Sequence, residues 1–489
     1  MTQPDAIPHQ STTSWVVNPV GPLVGDVAVR GSKNGVTKHL VAAMLGDSPS
    51  TISNCPDVGD VHITGGMISA LGCEISLDGV NATVDPRPLN SSRVPLRFSG
   101  MNRIPILMLS PLLHRTGEAF VPLVGGDDIG ARPLDFHVDA LQKMGAHIEI
   151  TSEGLEAKAD RLRGAHIKLP YPSVGATETV LMAASKAEGR TVLDNGALEP
   201  EIIELALFLQ RMGARIEMRP NRRYIIDGVE EMSGASQKLK GDRIEAFSYL
   251  VAGLISGGEV RVHGCSQDRL VTAISTLNRM GASFDITDTS VSAKADHLSP
   301  AAVETNTHPG FMTDWQSPMV ALFTQCDGLS VMHETVYENR FTYVPALNKM
   351  GAQIEAYNTP LGSGESRFVG SSTPCSVVVR GGAPLQGAEV VVPDIRGGFA
   401  YVLAAAAASG TTTITNTHHL DRGYNRPIEN FQGLGLDIKR MTSATPPTPD
   451  TEQQTPVKPP DASGVPISST SESATAAIPV GKEPEAPSS

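Results

Sequence analysis

A short phrase recurs six times along this chain, and that recurrence limits the possible folds more than any other feature. It reads LGCEI at 71–75, MGAHI at 144–148, MGARI at 212–216, MGASF at 280–284, MGAQI at 350–354 and LGLDI at 434–438, with glycines 73, 68, 68, 70 and 84 residues apart. Apolar residues at helical spacing precede the phrase, as Leu134, Val138, Leu141 and Met144 do before Gly145, and Ile202, Leu205, Leu209 and Met212 before Gly213. A glycine just past the last apolar residue suits the left-handed backbone that ends a helix. The alternation that follows, as at 146–150, predicts a strand.

A second six-fold series interleaves with the first. Small, largely apolar segments start at Lys33, Arg103, Ser173, Asp242, Asp314 and Asp394, spaced by 70, 70, 69, 72 and 80 residues. A helix that is apolar on nearly every face is a buried helix, so each unit holds one buried helix, one surface helix and several strands. A period near 70 exceeds the roughly 20–50 residues of solenoid repeats. Six such units therefore predict an α/β architecture of two globular domains with three units each.

Composition narrows the function. The chain has 489 residues, 40% hydrophobic and 19% charged, enough apolar material for sizeable cores. Its net charge of −13 argues against a nucleic-acid binder. There is no apolar run long enough to span a membrane, and residues 1–18 lack the basic start and apolar stretch of a secretory signal. Five scattered cysteines, Cys55, Cys73, Cys265, Cys326 and Cys375, form no CxxC pair, which fits free thiols in a reducing compartment. A cytoplasmic protein is expected. Residues 441–489 hold 10 prolines, six acids and two lysines and no aromatic residue. That segment cannot bury enough apolar surface to offset its ordering entropy, so it reads as a disordered tail, with docking of a partner as the alternative role.

Charged residues crowd the N-terminal ends of the buried helices: Lys33, Arg103, Asp242 with Arg243, Asp314, and Asp394 with Arg396. The aspartates alone have a plain explanation as dipole partners, each contributing about 0.3–1 kcal/mol. The cations are at the wrong end for that rule. Unsatisfied N–H groups and basic side chains at the same helix ends point to an anionic ligand, a phosphate or a carboxylate.

Nine phrases, in order over residues 15–440, give the chain its resemblance to a known family. They are GSKN at 31–34, GGDDIGARPLD at 125–135, PSVGAT at 172–177, EPEI at 199–202, GDRIE at 241–245, PGFMTD at 309–314, ENRF at 338–341, DIR at 394–396 and HLDRGY at 419–424. In these the chain resembles the enolpyruvyl transferase family, and the shikimate-pathway branch less, because that branch favours Ser after the Lys and lacks the GARP-type loop. The resemblance implies a two-domain inside-out α/β barrel. One domain would comprise 15–33 with 241–440, and the other 34–240 with a mobile loop near 121–133. It implies transfer of the enolpyruvyl group of phosphoenolpyruvate to the 3-hydroxyl of UDP-N-acetylglucosamine, with release of phosphate, no cofactor and no metal. Lys33, Asn34, Arg103, Arg132, Arg340, Arg396 and Arg422 would surround phosphoenolpyruvate. Asn34, Arg103, Arg132, Pro133, Leu134, Asp135, Ser173, Val174, Gly175, Asp314 and Val336 would hold the nucleotide sugar. Asp314 would be the base, and Lys33 and Asp127 would complete the catalytic set.

Where many family members carry a cysteine in the mobile loop, this chain has Asp127, which implies a carboxylic acid as the proton donor. Tyr171 stands where some members have a lysine near the nucleotide. His418 and His419 invite a metal reading, but adjacent side chains diverge and no carboxylate spacing supports a site. The remaining alternatives are an enolpyruvyl transferase for another uridine nucleotide in secondary metabolism, and a non-catalytic nucleotide-sugar-binding paralogue. Joint retention of Lys33, Arg103, Arg132, Asp314, Arg396 and Arg422 speaks against the second.

Overall fold

The structure, a computed structural model, describes residues 12–127, 129–130, 133–362 and 372–443. Its helices follow the two interleaved series. Buried and outer helices alternate as Lys33–Ala43 (α1) with Gly59–Ala70 (α2), Pro105–Thr116 (α3) with Asp135–Lys143 (α4), and Val174–Ser185 (α5) with Pro200–Arg211 (α6). The second half continues with Arg243–Ile255 (α7) and Val271–Arg279 (α8), then Gln316–Phe323 (α9) and Val344–Lys349 (α10). It ends with Phe399–Ala407 (α11), a short helix His418–Gly423 (α12) and Pro427–Gly433 (α13). Each recurring glycine has positive φ, between 94° and 113°, just past an outer helix. A side chain is strained in that conformation, which explains why glycine recurs there.

Six small sheets carry the strands. In five of them an antiparallel set gains one parallel edge strand, and in the sixth, built on Glu118–Pro122, a single parallel bridge from Arg93 to Phe120 stands in its place. Three of the parallel pairs are local β–α–β units, such as His166–Lys168 with Arg190–Asp194 around α5. Two are exchanged: Val24–Ala28 pairs with Glu259–His263, and Ser236–Lys238 pairs with Ser50–Ser53. The chain therefore crosses twice between the halves, and the two crossings touch at an antiparallel bridge between Gly31 and Gly241. A Cβ on Gly241 would run into the Gly264 carbonyl, and one on Gly31 into Asn54 and Leu239. The crossings place the starts of α1 and α7 side by side, so that the Lys33 N–H donates to Asp242 Oδ2 at 3.0 Å.

Buried apolar residues form two separate clusters among the described residues. One draws on positions from Trp15 to Val29 and from Ala246 to Ile438, the other on Val36 to Leu239. Helices α1, α3 and α5 lie inside the second cluster, with α3 packed against both others, and α7, α9 and α11 lie inside the first in mutual contact. At the end of the described chain, Asp437–Ser443 pairs with Thr12–Asn18. The tail boundary expected at Met441 therefore falls inside a strand, because cross-strand pairing holds residues that composition alone assigns to a disordered segment. Residues 444–489, with the expected docking role, lie outside the described residues.

Candidate active site

A cavity of about 640 Å³ opens where the N-terminal ends of the buried helices from both clusters converge. Two kinds of cap hold those ends. Ser32 Oγ and Ser173 Oγ accept the N–H groups of Gly35 and Ala176, each at 3.3 Å. Asp242 Oδ1 takes Ile244 N at 2.7 Å, and Asp394 Oδ1 takes Arg396 N and Gly397 N, both at 2.9 Å. Asp242 thus caps α7, and Asp394 holds the turn that leads into α11, so both serve helix starts as their positions suggest. Asp314 does not. It sits in a single 3-10 turn, Thr313–Trp315, and its carboxylate points to guanidinium groups: Arg340 Nη2 lies 2.6 Å from Oδ1 and Arg396 Nε 3.9 Å from Oδ2. Beneath it Trp315 is buried against Phe247 and Phe311 and donates to the Arg243 carbonyl at 3.1 Å.

Across the cavity a second charged cluster joins the halves. Asp60, buried at the start of α2, meets Lys33 Nζ at 2.7 Å and Arg422 Nη2 at 3.1 Å. Burial opposes ionisation of Asp60, but the Lys33 ammonium and Arg422 guanidinium outweigh it and hold the carboxyl below its ordinary value. Asp127 reaches this cluster from its loop, with Oδ1 3.9 Å from Arg422 Nη1 and 4.0 Å from His419 Nδ1. Burial beside His418 lowers the proton affinity of His419, while Asp127 and Asp394 oppose that effect.

Lys33, Asn34, Arg103, Asp127, Pro133, Ser173, Val174, Gly175, Asp314, Val336, Arg340, Arg396 and Arg422 all line the cavity. Leu134 and Asp135 do not. Leu134 packs against the second cluster and Asp135, exposed, opens α4. Arg132 lies outside the described residues. One expectation needs correcting. Arg243, grouped from its position with the cations awaiting an anionic ligand, is spent inside the protein in a two-pronged pair with Glu201, Nε–Oε1 and Nη2–Oε2 both 3.0 Å. Burial disfavours the Glu201 anion, yet Arg243 and Arg269 overcome it and hold the carboxyl at about 2. Asp60, Lys38, Glu178 and His137 also line the cavity and escaped the sequence reading. For Lys38 and Glu178 a signal was present, a lone charge inside an otherwise apolar helix.

Among the described residues, no group of three or more His, Cys, Asp or Glu is placed to hold a metal ion, and no helix is long and apolar enough to cross a membrane. All five cysteines are free and buried.

The profile of the family described as EPSP synthase (3-phosphoshikimate 1-carboxyvinyltransferase) matches residues 17–431. A protein of Protochlamydia amoebophila (strain UWE25) named UDP-N-acetylglucosamine 1-carboxyvinyltransferase is 42% identical over 427 residues, 85% of this chain and 92% of its own. The chain belongs to the UDP-N-acetylglucosamine 1-carboxyvinyltransferase family. A second member, from Chlamydia pneumoniae, is 42% identical over 86% of this chain and 93% of its own. In three dimensions the family fold is shared with the enolpyruvyl transferase NikO from Streptomyces tendae, with a TM-score of 0.78 and 25% identity over 89% of this chain and all of that one. An EPSP synthase from Acinetobacter baumannii has the same fold at a TM-score of 0.67, with 16% identity over 88% of this chain and all of its own.

Proposed function

We propose that this chain transfers the enolpyruvyl group of phosphoenolpyruvate to the 3-hydroxyl of UDP-N-acetylglucosamine, releasing phosphate and committing the sugar to peptidoglycan synthesis. The observation that carries the reading is the pairing of opposed clusters across one cavity: Asp127 beside Arg422, Lys33 and Asp60 on one side, and Asp314 between Arg340 and Arg396 on the other.

The chemistry needs that arrangement. In the addition step the sugar oxygen bonds to C2 of phosphoenolpyruvate while C3 takes a proton, turning the methylene into a methyl group. In the elimination step C3 gives up a proton, the double bond re-forms, and the bond from C2 to the phosphate oxygen breaks. A base must accept the hydroxyl proton and an acid must supply the C3 proton, with cations around the charge that develops. Asp314 is the base and Asp127 the acid. Lys33, Arg103, Arg340, Arg396 and Arg422 hold the phosphate and carboxylate of the donor, a task suited to planar guanidinium groups that engage two oxygens at once; Arg132 joins them in this reading. Asn34, Pro133 and Val336 face the acceptor. The N–H groups at the start of α5, from Ser173 to Gly175, receive its diphosphate. A cytoplasmic location belongs to the same reading.

The test is phosphate release from phosphoenolpyruvate with and without UDP-N-acetylglucosamine, followed by mass analysis of the nucleotide. Sugar-dependent release and a product heavier by one enolpyruvyl unit are expected. Release only with a different uridine nucleotide would move the reading to another acceptor.

A further inference from the structure

Five positions on from the segment starts at Lys33, Arg103, Ser173, Asp242, Asp314 and Asp394, the six repeats differ. Counting from the charged or capping start, four of them place Met108, Phe247, Met319 and Phe399 there, all fully buried. The other two, α1 and α5, place Lys38 and Glu178. The two meet with Nζ 3.9 Å from Oε1, side chains 15% and 3% exposed, and both line the cavity. At that distance they attract without a hydrogen bond, and no described residue donates a hydrogen bond to the Glu178 carboxylate. A loosely joined buried ion pair is a poor way to fill a core, as the apolar residues of the other four repeats show. Buried polar groups find partners, and the open side of this pair is the cavity. Burial raises the Glu178 carboxyl to about 7 against the pull of Lys38, with Glu199 and Glu201 adding to the rise.

We propose that Lys38 and Glu178 form a recognition subsite for the acceptor's sugar ring, Glu178 accepting from a hydroxyl or amide N–H and Lys38 donating to a sugar oxygen. The inference rests on the transferase reading above. The sugar is the partner because a carboxylate needs a donor. A diphosphate offers none, whereas the sugar carries hydroxyls and an amide. The diphosphate is already met at the start of α5, about one turn nearer the helix end than Glu178.

The test is the double variant Lys38→Met with Glu178→Leu, which removes both charges and restores the apolar pattern of the other repeats, so that folding is retained. Its thermal midpoint should stay near that of the wild type. The KM for UDP-N-acetylglucosamine should rise ~10–100-fold, as expected for lost hydrogen bonds to charged groups. The KM for phosphoenolpyruvate and the inhibition constant of plain UDP should stay within about twofold, since neither touches the pair. An unchanged acceptor KM, or a rise shared equally by UDP or by phosphoenolpyruvate, would overturn the subsite. Absence of acceptor-dependent turnover in the wild type would instead remove the transferase reading, and the subsite with it.

Discussion

Asp127 stands where the resemblance leads one to expect a thiol, and its neighbours in space are Arg422 and His419. If it delivers the C3 proton, Asp127→Asn lowers turnover by ~10²–10⁴-fold, the ordinary worth of a positioned acid. Asp127→Cys keeps activity and gains inactivation by thiol-alkylating epoxides, to which the wild type is insensitive; turnover with and without epoxide checks both. Glu201 gives a prediction of stability. Its carboxyl is held at about 2 in the folded chain, below the ordinary ~4.3. A depressed carboxyl contributes stability above its unfolded value and loses it as pH falls toward the folded one. Glu201→Gln leaves the buried Arg243 without its paired anion, while Arg269 keeps Glu204 at 3.2 Å, so at pH 7 it costs about 3–5 kcal/mol in urea unfolding. The gap to the wild type closes between about pH 4.3 and 2. The sequence showed that Arg243 was misplaced for the helix dipole. It did not show Glu201 as the partner, because 42 residues and a change of lobe separate them.

At the level of elements, the most legible signals were local ones. The recurring glycines announced every outer helix end, since a left-handed backbone is written into the residue that adopts it. The starts of buried helices at Ser173 and Asp242 were likewise legible from the local sequence, and both side chains cap them. The exchanged edge strands were not. Val24–Ala28 and Ser236–Lys238 are short, and their parallel partners lie about two hundred residues away, where no periodicity connects them. The crossing they create depends on close backbone approach at Gly241. Gly241→Ala forces a methyl group against the Gly264 carbonyl and lowers the folding free energy by about 1–3 kcal/mol, as overpacking does. A fall in thermal midpoint, with loss of affinity for phosphoenolpyruvate as Lys33 shifts with the crossing, is the expected outcome.

For the whole molecule, the site exists only between the two clusters: Lys33 and Asp60 come from one, Asp314, Arg340 and Arg396 from the other, and the Asp60–Arg422 and Glu201–Arg243 pairs hold the two sides together. Sequence order alone suggested such a cleft, through charges at the starts of buried helices. It could not say which charges face a ligand and which neutralise one another, since that is settled by distances across the cavity. The central claim is addition of the acceptor to phosphoenolpyruvate followed by elimination of phosphate. Its most direct test is the mass of the product nucleotide made in deuterated water. Protonation of C3 makes a freely rotating methyl group, so loss of any one of its three hydrogens leaves solvent deuterium in the enolpyruvyl methylene of part of the product. Deuterium there, dependent on the acceptor, is the predicted result; a product formed in heavy water with no deuterium in that group would contradict the account.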